Sequence, residues 1–207
     1  MPVSFLAAQL RRTGVTSAIP LMAGAAVALV GKAAAAAWSP VQAMALSFGL
    51  QQVLIICAGV SAAVAVTGDP LVELHEATPA TFRRVQLVRA AIATASGVVG
   101  AVLMFAPLHL AGVWMHDKGW ITLLSPAGAV IVMAAAAFVA TAFTGAVSTT
   151  AIAVVTTWMF LAMLWDPYVE PLLFQRGVPV LAAGALAAFA WRRLGDAERN
   201  VSRAVTA

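Results

Sequence analysis

The sequence predicts an all-α, polytopic membrane protein with about six transmembrane helices. Hydrophobic residues make up 62% of its 207 residues and charged ones only 10%, against about 25% charged in an average soluble domain. The mean hydropathy is +0.95. The apolar residues also fall into six runs, each near the ~20 residues that a helix needs to cross ~30 Å of hydrocarbon. This excludes a large soluble core. The formal charge of +4 is therefore read through the positive-inside rule, not as a nucleic-acid surface.

Residues 1–18 carry Phe5, Leu6 and Leu10 ahead of Arg11 and Arg12, which predicts a short amphipathic helix lying in the membrane interface. The first apolar run is Ile19 to Ala37. Arg11-Arg12 followed by an apolar, Ala-rich stretch has the ingredients of a secretory signal, but the run is long enough to span and is read as retained. The second run is Val41 to Val66 and the third Val85 to Ala106, with Arg89 near its start. The fourth is Ile121 to Phe143, the fifth Ser148 to Trp165. The sixth, Leu172 to Trp191, is interrupted early by Gln175-Arg176-Gly177 and Pro179. The chain thus reads as one transmembrane domain over 1–207, with a polar segment at 67–84 and a tail at 192–207.

Orientation follows from the cations. With a cytoplasmic N-terminus, the inner face holds Arg11, Arg12, Arg83, Arg84, Arg89, Arg192, Arg193, Arg199 and Arg203, and the outer face Lys32, Lys118 and Arg176. That bias places both termini in the cytoplasm. Trp38, Trp114, Trp120, Trp165 and Trp191 fall near predicted span ends, and Trp158 lies inside a span. The expected location is the cytoplasmic membrane of a bacterium; arginine outnumbers lysine and alanine is abundant, as in a GC-rich genome.

The longest polar interruption ahead of the tail is Asp69-Pro70-Leu71-Val72-Glu73-Leu74-His75-Glu76-Ala77-Thr78-Pro79-Ala80-Thr81-Phe82-Arg83-Arg84. Asp69, Glu73 and Glu76 are spaced i, i+4, i+7 and share one face of a helix. Pro70 suits a first helical turn, and Thr78-Pro79 argues for a stop. A short helix with acidic and apolar sides between spans two and three reads as a contact for another protein, with Glu73, Glu76, Arg83 and Arg84 carrying it and His75 a contact residue.

Other polar residues offer less. Gly24 to Lys32 superficially resembles a phosphate loop, but the spacing is wrong and Lys32 precedes Ala33. Cys57 is the single cysteine, so no disulfide and no Cys-based metal site is expected. His109, His116 and Asp117 share an outer loop without a tight ligand repeat, which favours a solvated loop over a metal site. Gln51 and Gln52 lie inside the second span, where a polar side chain either lines a substrate path or makes an interhelical hydrogen bond. Thr149 and Thr156 on the fifth span are weaker path candidates. Asp166-Pro167-Tyr168-Val169-Glu170-Pro171 joins spans five and six, and its prolines and carboxylates suggest a shaped cap, either a gate built on Asp166, Tyr168 and Glu170 or a plain connector. Ser96 and Gly100 form a small-xxx-small pair that predicts close packing without naming a partner.

Asp69-Pro70-Leu71-Val72-Glu73-Leu74, followed by Ala77-Thr78-Pro79 and Arg89 between spans two and three of six, resembles the permeases of type-2 ATP-binding-cassette (ABC) transporters. The resemblance extends to the plan of an N-terminal surface helix, six spans and a short re-entrant element before the last. It implies a cytoplasmic coupling helix docked on an ABC ATPase subunit through Asp69, Glu73, His75, Glu76, Arg83 and Arg84. It also implies a second permease chain, as homodimer or heterodimer, with two ATPase copies. ATP and Mg would be held by those partners, and this chain would be no enzyme itself. The cargo implied is a drug, lipid or peptide, exported. The largely uncharged spans independently suit a hydrophobic or amphipathic substrate. Two other classes are weighed. An ion-gradient secondary transporter usually buries a charged coupling residue mid-membrane, whereas all eight acidic residues fall outside the predicted spans. A non-transporting assembly factor, sensor or immunity protein predicts no ATPase partner.

Overall fold

The structure, a computed structural model, describes residues 3–67 and 82–195, with side chains from residue 7 onward. Six helices in it are long and apolar enough to cross a membrane, and the described residues contain no strand. They are α1 (Val3–Ala37), α2 (Pro40–Val66), α3 (Phe82–Leu110), α4 (Leu124–Thr144), α5 (Val147–Met159) and α6 (Leu172–Arg193). A 3-10 turn, Trp120–Leu123, leads into α4, and a π-helical turn, Phe160–Trp165, extends α5.

The boundaries follow local chemistry. Between α1 and α2 the chain reverses at Ser39, where the Gln42 side chain reaches back to the Ser39 amide (3.3 Å) and hydroxyl (3.0 Å) and Pro40 opens the helix. Between α4 and α5 it reverses at Gly145, whose φ of 70° is the left-handed cap that glycine adopts without strain. The buried hydroxyls of Thr141 and Thr150 meet across that reversal at 3.1 Å.

Two expectations change. The interfacial segment over 1–18 is not a separate element: from Val3 it is the first part of α1, which runs on unbroken to Ala37 through Pro20. Alongside it, α3 runs parallel and in step, Gln9 meeting Arg89, Gly24 meeting Gly100 and Gly31 meeting Leu108. Nor is there a re-entrant element before the last span. Gln175, Arg176, Gly177 and Pro179 all lie within a single continuous α6.

Prolines inside a helix strand the carbonyl four residues back, because they carry no N–H. In hydrocarbon that carbonyl needs another donor. Pro20 leaves the Thr16 carbonyl, and Ser61 of α2 donates its hydroxyl to it at 2.6 Å. Pro179 leaves the Gln175 carbonyl, and the Trp165 indole N–H donates to it at 2.8 Å. Each helix therefore continues through its proline by leaning on a neighbour.

Apolar side chains gain little by leaving lipid for a bundle interior, so close van der Waals packing must hold the helices together. Gly24 and Gly100 allow it: a Cβ on Gly24 would overlap the Gly100 carbonyl, and one on Gly100 would overlap the Pro20 carbonyl. Around this seam Leu54, Met104, Phe105 and Leu108 are fully buried, and a second core forms around Ile55, Ala93, Met133 and Val154. By contrast α5 and α6 keep most of their surface outside the bundle, with only 17% and 11% of their spanning windows buried.

Candidate functional site

The six antiparallel crossings sort the loops into two ends. One end holds the reversals at Ser39, at 111–119 and at 166–171. The other holds the start of α1, the end of α2, the start of α3, the Gly145 reversal and the end of α6.

At the first end a cavity of about 580 Å³ opens between α2, the 111–119 loop, α4 and the α5–α6 corner. Its floor is an ion pair. Arg176, 4% exposed, donates from Nη1 and Nη2 to the two carboxylate oxygens of Asp166 at 2.8 and 2.6 Å. Its Nη2 also lies 3.4 Å from the Ser125 hydroxyl. The aliphatic stem of Arg176 reaches this position across Gly128, whose absent Cβ would sit 3.1–3.3 Å from three of its carbons. Asp166 lies just beyond the spanning part of α5, and its carboxyl is raised above the ordinary range. Burial raises it, and the charge and hydrogen bonds of Arg176 only partly offset that.

The corner is rigidly tied. Gln175 donates its side-chain amide to the Asp166 carbonyl at 3.0 Å, while Trp165 donates to the Gln175 carbonyl. The 166–171 segment is a shaped corner, held by these bonds. Asp166 and Glu170 line the cavity; Tyr168 does not and is 78% exposed.

Gln51 and Gln52 line the same cavity, so the span-two glutamines and the corner carboxylates, expected separately, form one surface. One of them makes the interhelical hydrogen bond that was one of the two expectations. Gln52 accepts the Trp158 indole N–H at 3.0 Å and so ties α2 to α5. Gln51, 4% exposed, has no hydrogen-bond partner among the described residues. Thr149 and Thr156 are exposed and do not join them. Thr149 instead lines a separate, apolar hollow of about 510 Å³ between α4, α5 and α6.

The 111–119 loop forms the remaining wall through Trp114, Met115, His116 and Lys118. Trp114 is buried just beyond the end of α3 and meets Phe105 edge-on at 5.0 Å. His109 stacks on Phe105 at 5.1 Å, packs against Trp120 and pairs through Nδ1 with Asp117. The loop is thus held by aromatic packing and a histidine–carboxylate contact. Among the described residues no group of three or more His, Cys, Asp or Glu is placed to hold a metal ion. His116 itself adopts a φ of 55°, a conformation that side chains adopt rarely.

Asp69, Glu73, His75 and Glu76 lie outside the described residues. Of the arginines that follow, Arg83 places its guanidinium 4.5 Å over the Trp191 ring, and Arg84 is exposed. Sequence reasoning missed the polar pair between Gln9 and Arg89, whose Nε donates to Gln9 Oε1 at 2.9 Å in the bundle interior. It also left Arg176 as one outer cation among three. The available signal was an arginine and a glutamine inside an apolar run, ten residues after an aspartate. Compared with family models, curated proteins and solved structures, the chain matches none of them.

Proposed function

We propose that this chain is the permease subunit of an ATP-driven exporter of hydrophobic or amphipathic molecules, working with a second permease chain and two copies of an ABC ATPase. The observation that carries the proposal is the polar segment Asp69-Pro70-Leu71-Val72-Glu73-Leu74…Ala77-Thr78-Pro79. In sequence it stands between α2 and α3, and Arg83, Arg84, Arg192 and Arg193 lie at the start of α3 and the end of α6. A partner gripping that segment would act on α3, which is packed along α1 for its whole length, and so on the seam of the bundle. Work of this kind is a shift between two helix arrangements, biased by the partner's nucleotide cycle. The exposed flanks of α5 and α6 leave room for a second permease chain.

Mild-detergent purification of the tagged chain with mass spectrometry is the first test. A stoichiometric P-loop ATPase supports the proposal; a solitary chain, repeated in lipid nanodiscs, overturns it. The second test reverses the charges of Glu73 and Glu76 together. ATPase activity of the complex is then expected to lose its coupling to transport while the chain still folds.

One observation favours a second reading. Asp166 and Arg176 form a buried charged pair at a cavity wall, the kind of group that couples ion-driven transporters. That reading predicts substrate movement in ATP-free vesicles driven by a proton or sodium gradient, and its absence removes it.

A further inference from the structure

The cavity at the α5–α6 corner has a floor whose charges are already matched and a wall whose hydrogen-bonding capacity is not. Arg176 and Asp166 neutralise each other through paired hydrogen bonds. Gln51, buried on the wall, has no protein partner for its amide among the described residues. Its amide opens onto the cavity and there offers donors and an acceptor to a hydrogen-bonding group from outside the chain. Ser125 stands on the same surface with its hydroxyl engaged only at 3.4 Å. Trp114 and Phe48 supply apolar area beside these polar groups.

We propose that this cavity binds a small, uncharged amphipathic molecule. Its hydroxyl or amide group meets Gln51 and Ser125, and its apolar part lies against Trp114 and Phe48. The volume, about 580 Å³, falls within the ~300–1,000 Å³ of small-molecule sites. Charge selects against ions of either sign. The deep charges are paired with each other, so a charged ligand would be desolvated without a counter-charge. Lys118 and Glu170, both exposed and opposite in sign, add no net charge. The site needs only this chain, so it stands independently of an ATPase partner.

The test uses the full-length chain in phosphatidylcholine nanodiscs, carrying Cys57→Ser and Met115→Cys on the cavity wall, and reads how fast a small neutral thiol reagent labels the introduced thiol. Three probes share one tail and differ in head: octyl glucoside, octanoate and octylammonium, each below its solubilising concentration. Labelling is expected without probe. Octyl glucoside is expected to slow it, about tenfold at ten times its Kd, while octanoate and octylammonium leave the rate unchanged. Gln51→Leu is expected to abolish that protection without altering the unprotected rate. Gln51→Ala provides the same measurement should the leucine variant misfold. The proposal is overturned by a site that does not label, by failure of all three probes to protect, by equal or better protection from a charged probe, or by protection that survives the Gln51 substitution.

Discussion

Ser61 donates its hydroxyl to the Thr16 carbonyl at 2.6 Å, the one carbonyl in α1 that Pro20 deprives of its helical donor. The bond joins α2 to α1 at the point where α1 also meets Gly100 of α3. It therefore repairs a helix and fixes a three-helix junction at once. Ser61→Ala should destabilise the bundle by about 0.6–1.7 kcal/mol, the range measured for hydrogen bonds between membrane helices. If the proline is the reason, the cost should largely vanish in a Pro20→Ala background, where the substituted residue supplies the missing N–H. A double-mutant cycle from unfolding in mixed micelles measures this; additive single effects would sink the explanation.

The same logic applies at Pro179. Trp165 donates to the Gln175 carbonyl, so Trp165→Phe keeps an aromatic ring and removes the donor. The expected loss is about 1 kcal/mol, with Pro179→Ala as the compensating change. Because Gln175 in turn holds the Asp166 carbonyl, Trp165→Phe should also loosen the 166–171 corner. Faster proteolysis or hydrogen exchange there is the reporter; an unchanged corner means that the indole bond is incidental.

Glycines of equal helix propensity should behave oppositely. Gly100→Ala drives a methyl into the Pro20 carbonyl, a backbone atom that cannot swing away. It should separate α1 from α3 and cost about 1–3 kcal/mol as overpacking does. Gly49 has nothing within 4 Å of its absent Cβ. Gly49→Ala should be neutral or stabilising, by up to ~1 kcal/mol from helix propensity. Thermal midpoints of the two variants in one detergent decide it.

Much of this fold was legible in the sequence for one reason: run length. The ends of α2, α4 and α6 fall within a few residues of the apolar runs because polar and turn residues stop both the helix and the hydrophobicity there. Two breaks read from residue type did not occur. The 1–18 segment did not stand apart from the first span, and Pro179 did not interrupt α6. At Pro179 a neighbouring side chain supplies what the local sequence lacks, Trp165 reaching the Gln175 carbonyl. The site was half legible. Gln51, Gln52, Asp166 and Glu170 stood out as polar residues in or beside apolar runs, yet only the packing of α2 against α5 brings them to one cavity. Arg176 escaped because a charge near a span end has the ordinary explanation of facing water.

The Asp166–Arg176 pair should respond unequally to the loss of either member, and pH should expose the inequality. Asp166 has its carboxyl raised because burial outweighs the help from Arg176. Its ionised form is therefore the less favoured one in the fold, relative to the unfolded chain. The folded state holds the proton more tightly, so stability falls as pH rises from the ordinary carboxylate range through the raised value. Asp166→Asn replaces the carboxylate by a neutral group that still accepts from Arg176, and should remove that pH dependence at the cost of leaving the buried Arg176 cation without its counter-charge. Arg176→Met leaves the carboxylate half-buried without its cation. Breaking a fully buried pair costs about 3–5 kcal/mol; the Asp166 side chain keeps 19% exposure, so the lower end is expected. That loss should shrink as pH falls and Asp166 takes up a proton. Thermal midpoints of wild type, Asp166→Asn and Arg176→Met across mildly acidic to neutral pH make the comparison. An Asp166→Asn variant less stable than Arg176→Met at neutral pH would show that the cation, not the carboxylate, is the member that needs its partner.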